Sequence, residues 1–204
     1  MNFEEYLAEN QAFIFELDNV IYPKKDYLLQ VYYLFAQFME YDAQISALEI
    51  VEFMKEAYFS AGEEEIFYKT AEAFKMHKKY EVNFKLLMHS AKLPLKLLIF
   101  KDVLSLLMEM VSKEKQIFLF TDGDPGMQLN KIKQMDWQGL EKYLTVYFSS
   151  ETEPKPSPVG LIQLISKHQL RHEEVLMIGT AINDEVSAAH ASIKFLNVNK
   201  LLLN

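Results

Sequence analysis

The sequence predicts an α/β fold: a parallel sheet flanked by helices, with a bundle of helices inserted after the first strand. Three observations carry this. From Leu95 onward, short apolar runs alternate with helix-periodic segments, the pattern that builds parallel sheets through right-handed crossovers. The stretch from about Lys24 to about Leu93 offers no convincing strand, has Gly62 as its single glycine, and repeats apolar residues at helical spacing. A further apolar run, Ala12 to Phe15, stands alone near the N-terminus and has to join the same sheet, which makes the helical block an insertion.

The first element is the most informative. Phe13 to Pro23, FIFELDNVIYP, reads as a buried strand ending in two acidic side chains and a turn. Residues i and i+2 share one face of a strand, so Glu16 and Asp18 both address the crevice beyond the strand's carboxyl end, where open α/β sheets bind ligands. Asp18-Asn19 is also an ordinary turn-forming pair.

In the inserted block, Tyr27, Val31, Leu34, Phe35 and Phe38 form one helical stripe. Further helices are expected at 46–58, 63–79 and 82–91, with Glu63, Glu64 and Glu65 suited to a helix N-terminus by the macrodipole. Four helices in succession predict a small bundle. Its aromatic residues Tyr32, Tyr33, Phe35 and Phe38 read as core.

Beyond it, strands are expected at 116–120, 145–148, 175–178 and 194–198, and helices near 100–111, 126–135, 157–168 and 183–191. The domain reading is therefore a core of residues 1–22 and 94–204 and a helical unit of residues 23–93.

At 204 residues the chain suffices for one well-buried core carrying a smaller insert. A formal charge of −8 argues against nucleic acid as partner, because phosphate-backbone binding depends on clustered Lys and Arg. The nearest basic cluster, Lys75, Lys78 and Lys79, reads as a solvated helix face. The absence of cysteine excludes disulfides, thiolate nucleophiles and cysteine-ligated metal sites. No apolar run reaches bilayer-spanning length, and the acidic start, Met1 to Tyr6, is unlike a signal peptide, so a soluble cytoplasmic protein without membrane partners is expected. Gly-x-Gly-x-x-Gly, Walker and Gly-x-Ser-x-Gly patterns are absent. His168 and His172, though spaced i and i+4, read as surface residues.

Three later segments each place polar residues at the end of an apolar strand or in a rigid loop. Phe118-Leu119-Phe120-Thr121-Asp122-Gly123 is a strand ending in a hydroxyl, or an ordinary turn. Glu153-Pro154-Lys155-Pro156-Ser157-Pro158 holds a lysine between prolines, or is a solvated loop. Val175-Leu176-Met177-Ile178-Gly179-Thr180-Ala181-Ile182-Asn183-Asp184 is a strand followed by an acid that could equally cap the next helix.

Together with Glu16-Leu17-Asp18, these four segments in this order resemble the haloacid dehalogenase-like (HAD) superfamily over essentially the whole chain. The resemblance implies a Rossmann-like core with a helical cap domain inserted after the first motif. Tyr22-Pro23 and the helical insert are most similar to the branch holding small-phosphate and pyrimidine-nucleotide phosphatases. In the family's terms Glu16 stands at the nucleophile position and Asp18 at the general acid/base. Thr121 binds the phosphoryl group, Lys155 screens nucleophile from phosphate, and Mg²⁺ is held by Glu16, a backbone carbonyl near Asp18, and Asp184. The implied reaction is hydrolysis of a small phosphorylated metabolite, a phosphoric monoester.

Two positions depart from the family pattern. Glu16 replaces the nucleophilic Asp and moves the carboxylate outward by about one bond, ~1.5 Å, where a misplacement of about 1 Å can cost on the order of 10²-fold in rate. Thr180 replaces the first metal-binding Asp of the last motif with a neutral hydroxyl. These departures set a second reading beside the first: a non-catalytic member of the superfamily, a pseudoenzyme, serving as a metabolite- or anion-binding module or binding a protein partner or a second copy of itself. A cation held between Glu16 and Asp184 would favour the enzyme, and a Lys155 salt bridge in that space the second reading.

Overall fold

The computed structural model describes residues 3–202. Its Cα positions divide into two compact units, one formed by the described residues of Met1–Pro23, Leu98–Gln128 and Met135–Asn204, the other by Lys24–Leu97 and Leu129–Gln134.

The first unit is built on a five-stranded, wholly parallel sheet. Its strands are β1 (Ala12–Phe15), β2 (Gln116–Thr121), β3 (Leu144–Phe148), β4 (Val175–Gly179) and β5 (Lys194–Asn197), in the order β3-β2-β1-β4-β5. All four residues of β1 and all five of β4 are buried, as expected of strands covered on both faces. The edge strands β3 and β5 are partly exposed. The chain lays β2 and β3 to one side of β1 and then returns to lay β4 and β5 on the other. That reversal opens a crevice at the carboxyl ends of the central strands.

One face of the sheet contributes Ile14, Phe118, Phe120 and Met177 to a core closed by Leu161, Leu164 and Ile165 of α8 (Val159–Lys167) and Ala188 of α9 (Ile182–His190). On the other face Phe13 meets Phe3 of α1 (Phe3–Glu9), with ring centroids 6.3 Å apart. There α6 (Lys101–Ser112) buries Val103, Leu107 and Met110. α1 was not expected from the sequence, although Phe3, Tyr6 and Leu7 have helical i, i+3, i+4 spacing.

The second unit holds α2 (Lys24–Ala43), α3 (Ala47–Ala61), α4 (Ile66–Ala73) and α5 (Glu81–Ser90). Ser46 caps α3, accepting from the Glu49 amide at 3.4 Å, and Gly62 ends it at a φ of 78° that favours glycine. Phe35, Phe67 and Phe84 pack edge to face or tilted at its centre. Tyr32 and Phe35 are buried as expected, whereas Tyr33 is exposed.

The single helix expected over 63–79 is instead α4 followed by a 3-10 turn, Lys78–Tyr80. Two left-handed residues bound the helix, Glu65 (φ 58°) before it and Lys75 (φ 52°) after it. The His77 ring then accepts from the Lys79 amide at 3.0 Å, a local bond that competes with helix continuation.

Candidate active site

Parallel register places Phe15 opposite Leu119 on one side and Ile178 on the other. The residues that follow therefore leave the sheet together: Glu16 and Asp18 after β1, Thr121 and Asp122 at the end of β2, Gly179 and Thr180 at the end of β4.

Glu16 continues its strand, the amide donating to the Ile178 carbonyl at 3.0 Å. Both carboxylate oxygens are engaged. Oε1 accepts the Thr121 hydroxyl at 2.5 Å, and Oε2 pairs with Lys155 Nζ. Lys155 arrives on the proline-bounded loop, its bond to Pro156 cis and its side chain wholly buried. The same Nζ reaches Asp184 Oδ1 at 2.5 Å and stands 3.4 Å from Asp122 Oδ2.

Asp184, in the first turn of α9, turns back over the loop after β4. Its Oδ2 accepts from the Thr180 and Ala181 amides at 3.1 and 3.0 Å, satisfying two donors at the helix start. This return depends on Gly179, where a Cβ would lie 2.6 Å from Asp184 Oδ2. Asp184 thus divides its carboxylate, one oxygen on the backbone at the helix start and the other on Lys155.

Asp18 is placed by a tight loop. Asn19 adopts a left-handed φ of 61°, which asparagine tolerates, and its amide donates to the Tyr22 carbonyl at 3.0 Å. The buried Tyr22 hydroxyl donates to Asp18 Oδ1 at 2.7 Å, and Gln128 Nε2 lies 3.5 Å from Oδ2. Gln128 belongs to α7 (Pro125–Lys133), whose start is capped by Asp124 accepting from the Met127 amide. The Gln128 amide also donates to Thr121 Oγ1 at 2.8 Å and to the Asp122 carbonyl at 2.7 Å, so it ties the Asp18 loop to the end of β2.

Four expected site residues, Glu16, Thr121, Lys155 and Asp184, form one continuous network, and Asp18 joins it through Gln128. Asp122, Gln128, Ser149 and Tyr22 belong to the same constellation but were not expected as site residues. Ser149 donates to Asp122 Oδ1. Asp122 carried a signal, its place directly after the strand-ending Thr121, whereas nothing distinguished Gln128 from a surface glutamine. His168 and His172 go separate ways, to the Tyr147 hydroxyl and the Ala191 carbonyl.

Burial raises the Glu16 carboxyl above the ordinary glutamate range, outweighing the opposing pull of the Lys155 ammonium and the Thr121 hydroxyl. Burial also acts to lower Lys155, but the carboxylates of Glu16, Asp184 and Asp122 outweigh it and hold the ammonium above the ordinary lysine value. Lys155 is therefore a fixed positive charge at physiological pH.

Glu16, Asp122 and Asp184 offer carboxylate oxygens within 4.8 Å of one another, the donor chemistry that suits a hard cation. These oxygens are already in use, however. Both of Glu16 and both of Asp184 receive protein donors, and a buried ammonium stands at their common focus. The Asp18 carboxylate, expected as the acid/base group, faces Tyr22 and Gln128. Mg²⁺ needs near-octahedral oxygen ligation with room for its waters, and this arrangement does not fit it.

The chain matches the family model described as haloacid dehalogenase-like hydrolase over residues 13–198. A phosphoglycolate phosphatase of Vibrio parahaemolyticus is 36% identical over 59 residues, which are 28% of this chain and 26% of that protein, so the match spans about a quarter of the relative. Among solved structures, a Thermotoga maritima protein assigned as a beta-phosphoglucomutase is 22% identical at a TM-score of 0.67, covering 95% of this chain and 90% of that one. A HAD phosphatase of Thermococcus onnurineus is 19% identical at a TM-score of 0.56, covering 92% and 85%. These structures share the fold.

Proposed function

We propose that this chain, which belongs to the haloacid dehalogenase-like hydrolase family, has left the family's catalysis and is a non-catalytic member, its crevice closed by its own ionic network. The observation that carries this reading is the use made of Glu16. Its carboxylate contacts Thr121 on one oxygen and Lys155 on the other. In the family pattern that hydroxyl binds the phosphoryl group and that ammonium screens nucleophile from phosphate. Here they meet the side chain at the nucleophile position. Thr180 supports the same reading, since a hydroxyl stands where a carboxylate would hold metal.

A bound phosphomonoester would need Glu16 to release both partners, and it would enter a cluster in which three carboxylates face one ammonium. The crevice thus works against an anion unless further positive charge enters with it.

A second reading is favoured by the Glu16, Asp122 and Asp184 cluster and by the phosphatase among the relatives. It is a slow Mg²⁺-dependent phosphatase of a small phosphorylated metabolite, with Asp18 serving as the proton-transfer group. The two separate in a phosphate-release assay over a panel of phosphorylated metabolites with Mg²⁺. The first reading expects the natural protein to match a Glu16→Ala variant on every compound. Phosphate release above that of Glu16→Ala, abolished by Asp18→Asn, would establish the second.

A further inference from the structure

We propose that Lys155 is the resident cation of this crevice, its ammonium holding the place between Glu16 and Asp184, so that the folded protein takes up Mg²⁺ only once that ammonium is removed. The inference rests on the reading that family turnover has lapsed, but it makes a separate statement about which cation neutralises the site.

The donor count supports it. An ammonium has three N–H donors and no acceptor, and three carboxylates surround this one: Glu16, Asp184 at 2.5 Å and Asp122 at 3.4 Å. A fourth side is closed by the Phe120 ring, whose centroid lies 5.7 Å from Nζ. The remaining oxygens are engaged from outside the cluster, Glu16 Oε1 by the Thr121 hydroxyl and Asp184 Oδ2 by the Thr180 and Ala181 amides. An incoming Mg²⁺ would have to displace a buried ammonium and face hydrogens already pointed at its ligands.

Removing the ammonium reverses the situation. Lys155→Met leaves Glu16, Asp122 and Asp184 together with no cation among them and with ligand oxygens freed at the centre. That set would recruit a divalent ion to offset its charge.

The test is thermal unfolding and calorimetric titration with MgCl₂ alone, compared with EDTA, on the natural protein and on Lys155→Met. The natural protein should give no heat at millimolar metal and the same Tm in Mg²⁺ and EDTA. Lys155→Met should gain a Mg²⁺-dependent Tm rise of about 5 °C or more at metal well above its Kd; folding only when Mg²⁺ is present would be the same result in a stronger form. A Tm rise with Mg²⁺ in the natural protein overturns the inference, and that titration decides by itself if Lys155→Met does not fold. A folded Lys155→Met indifferent to Mg²⁺ also overturns it. Mg²⁺ uptake without phosphate release would sink this inference and leave lapsed turnover standing, whereas phosphate release in EDTA would do the reverse.

Discussion

At the centre of the helical unit the contacts are apolar: Phe35, Phe67 and Phe84 meet with ring centroids between 5.2 and 6.0 Å apart. At the carboxyl ends of β1, β2 and β4 they are ionic, with Lys155 and three carboxylates joined to Thr121, Gln128 and backbone amides. The difference teaches how each region responds to change. Apolar packing loses stability in proportion to the atoms removed. A buried charge network fails abruptly, because deleting one member leaves the others desolvated and uncompensated.

The largest effect should therefore come from Lys155. Lys155→Met is expected to cost roughly 3–5 kcal/mol at neutral pH in denaturant unfolding. The sign with pH follows from the raised Lys155 value: its contribution is complete below about 10.5 and is lost as pH rises through the folded-state value. Glu16, also raised, adds stability below the ordinary glutamate value that is lost as pH rises through its own folded-state value. In Lys155→Met the carboxylates bind protons more tightly in the folded state, so the deficit should shrink as pH falls toward 4.

Next is Gly179→Ala. The new Cβ would meet the Asp184 side chain at 2.6–2.8 Å and force the acid off its two amides, at a cost of about 1–3 kcal/mol. Ile50→Val, in the buried stripe of α3, should cost only ~0.5–1.5 kcal/mol, with no pH dependence, which separates the two regions in one experiment. The smallest effect is expected at Tyr32, a buried residue whose hydroxyl has no hydrogen-bond partner among the described residues. Tyr32→Phe should leave stability unchanged or raise it by up to about 1 kcal/mol. A loss beyond that would show that the hydroxyl is satisfied in solution.

The strands were legible because each is a short apolar run bounded by turn residues. Their parallel order followed from the helices between them. The break between α4 and the Lys78–Tyr80 turn was hidden, since left-handed Glu65 and Lys75 carry no marker in residue type. Glu16, Asp18 and Thr121 could be named from their places at strand ends, Lys155 from its proline-bounded loop and Asp184 from the segment after β4, each through the family resemblance of the four segments in order. What those residues do to one another could not, because Glu16 and Lys155 are 139 residues apart in the chain and periodicity says nothing about which oxygen an ammonium will choose. Gln128 was missed for the same reason, its role set by three contacts that only the fold brings together.

The most direct test of the closed crevice is phosphate release from a generic aryl phosphate with Mg²⁺. The natural protein would be compared with a Glu16→Asp, Thr180→Asp double variant, which shortens the blocking side chain and returns a carboxylate to the loop after β4. Silence in the natural protein and activity in the double variant is the predicted result. Enzymatic turnover by the natural protein, lost in Glu16→Ala, would contradict it.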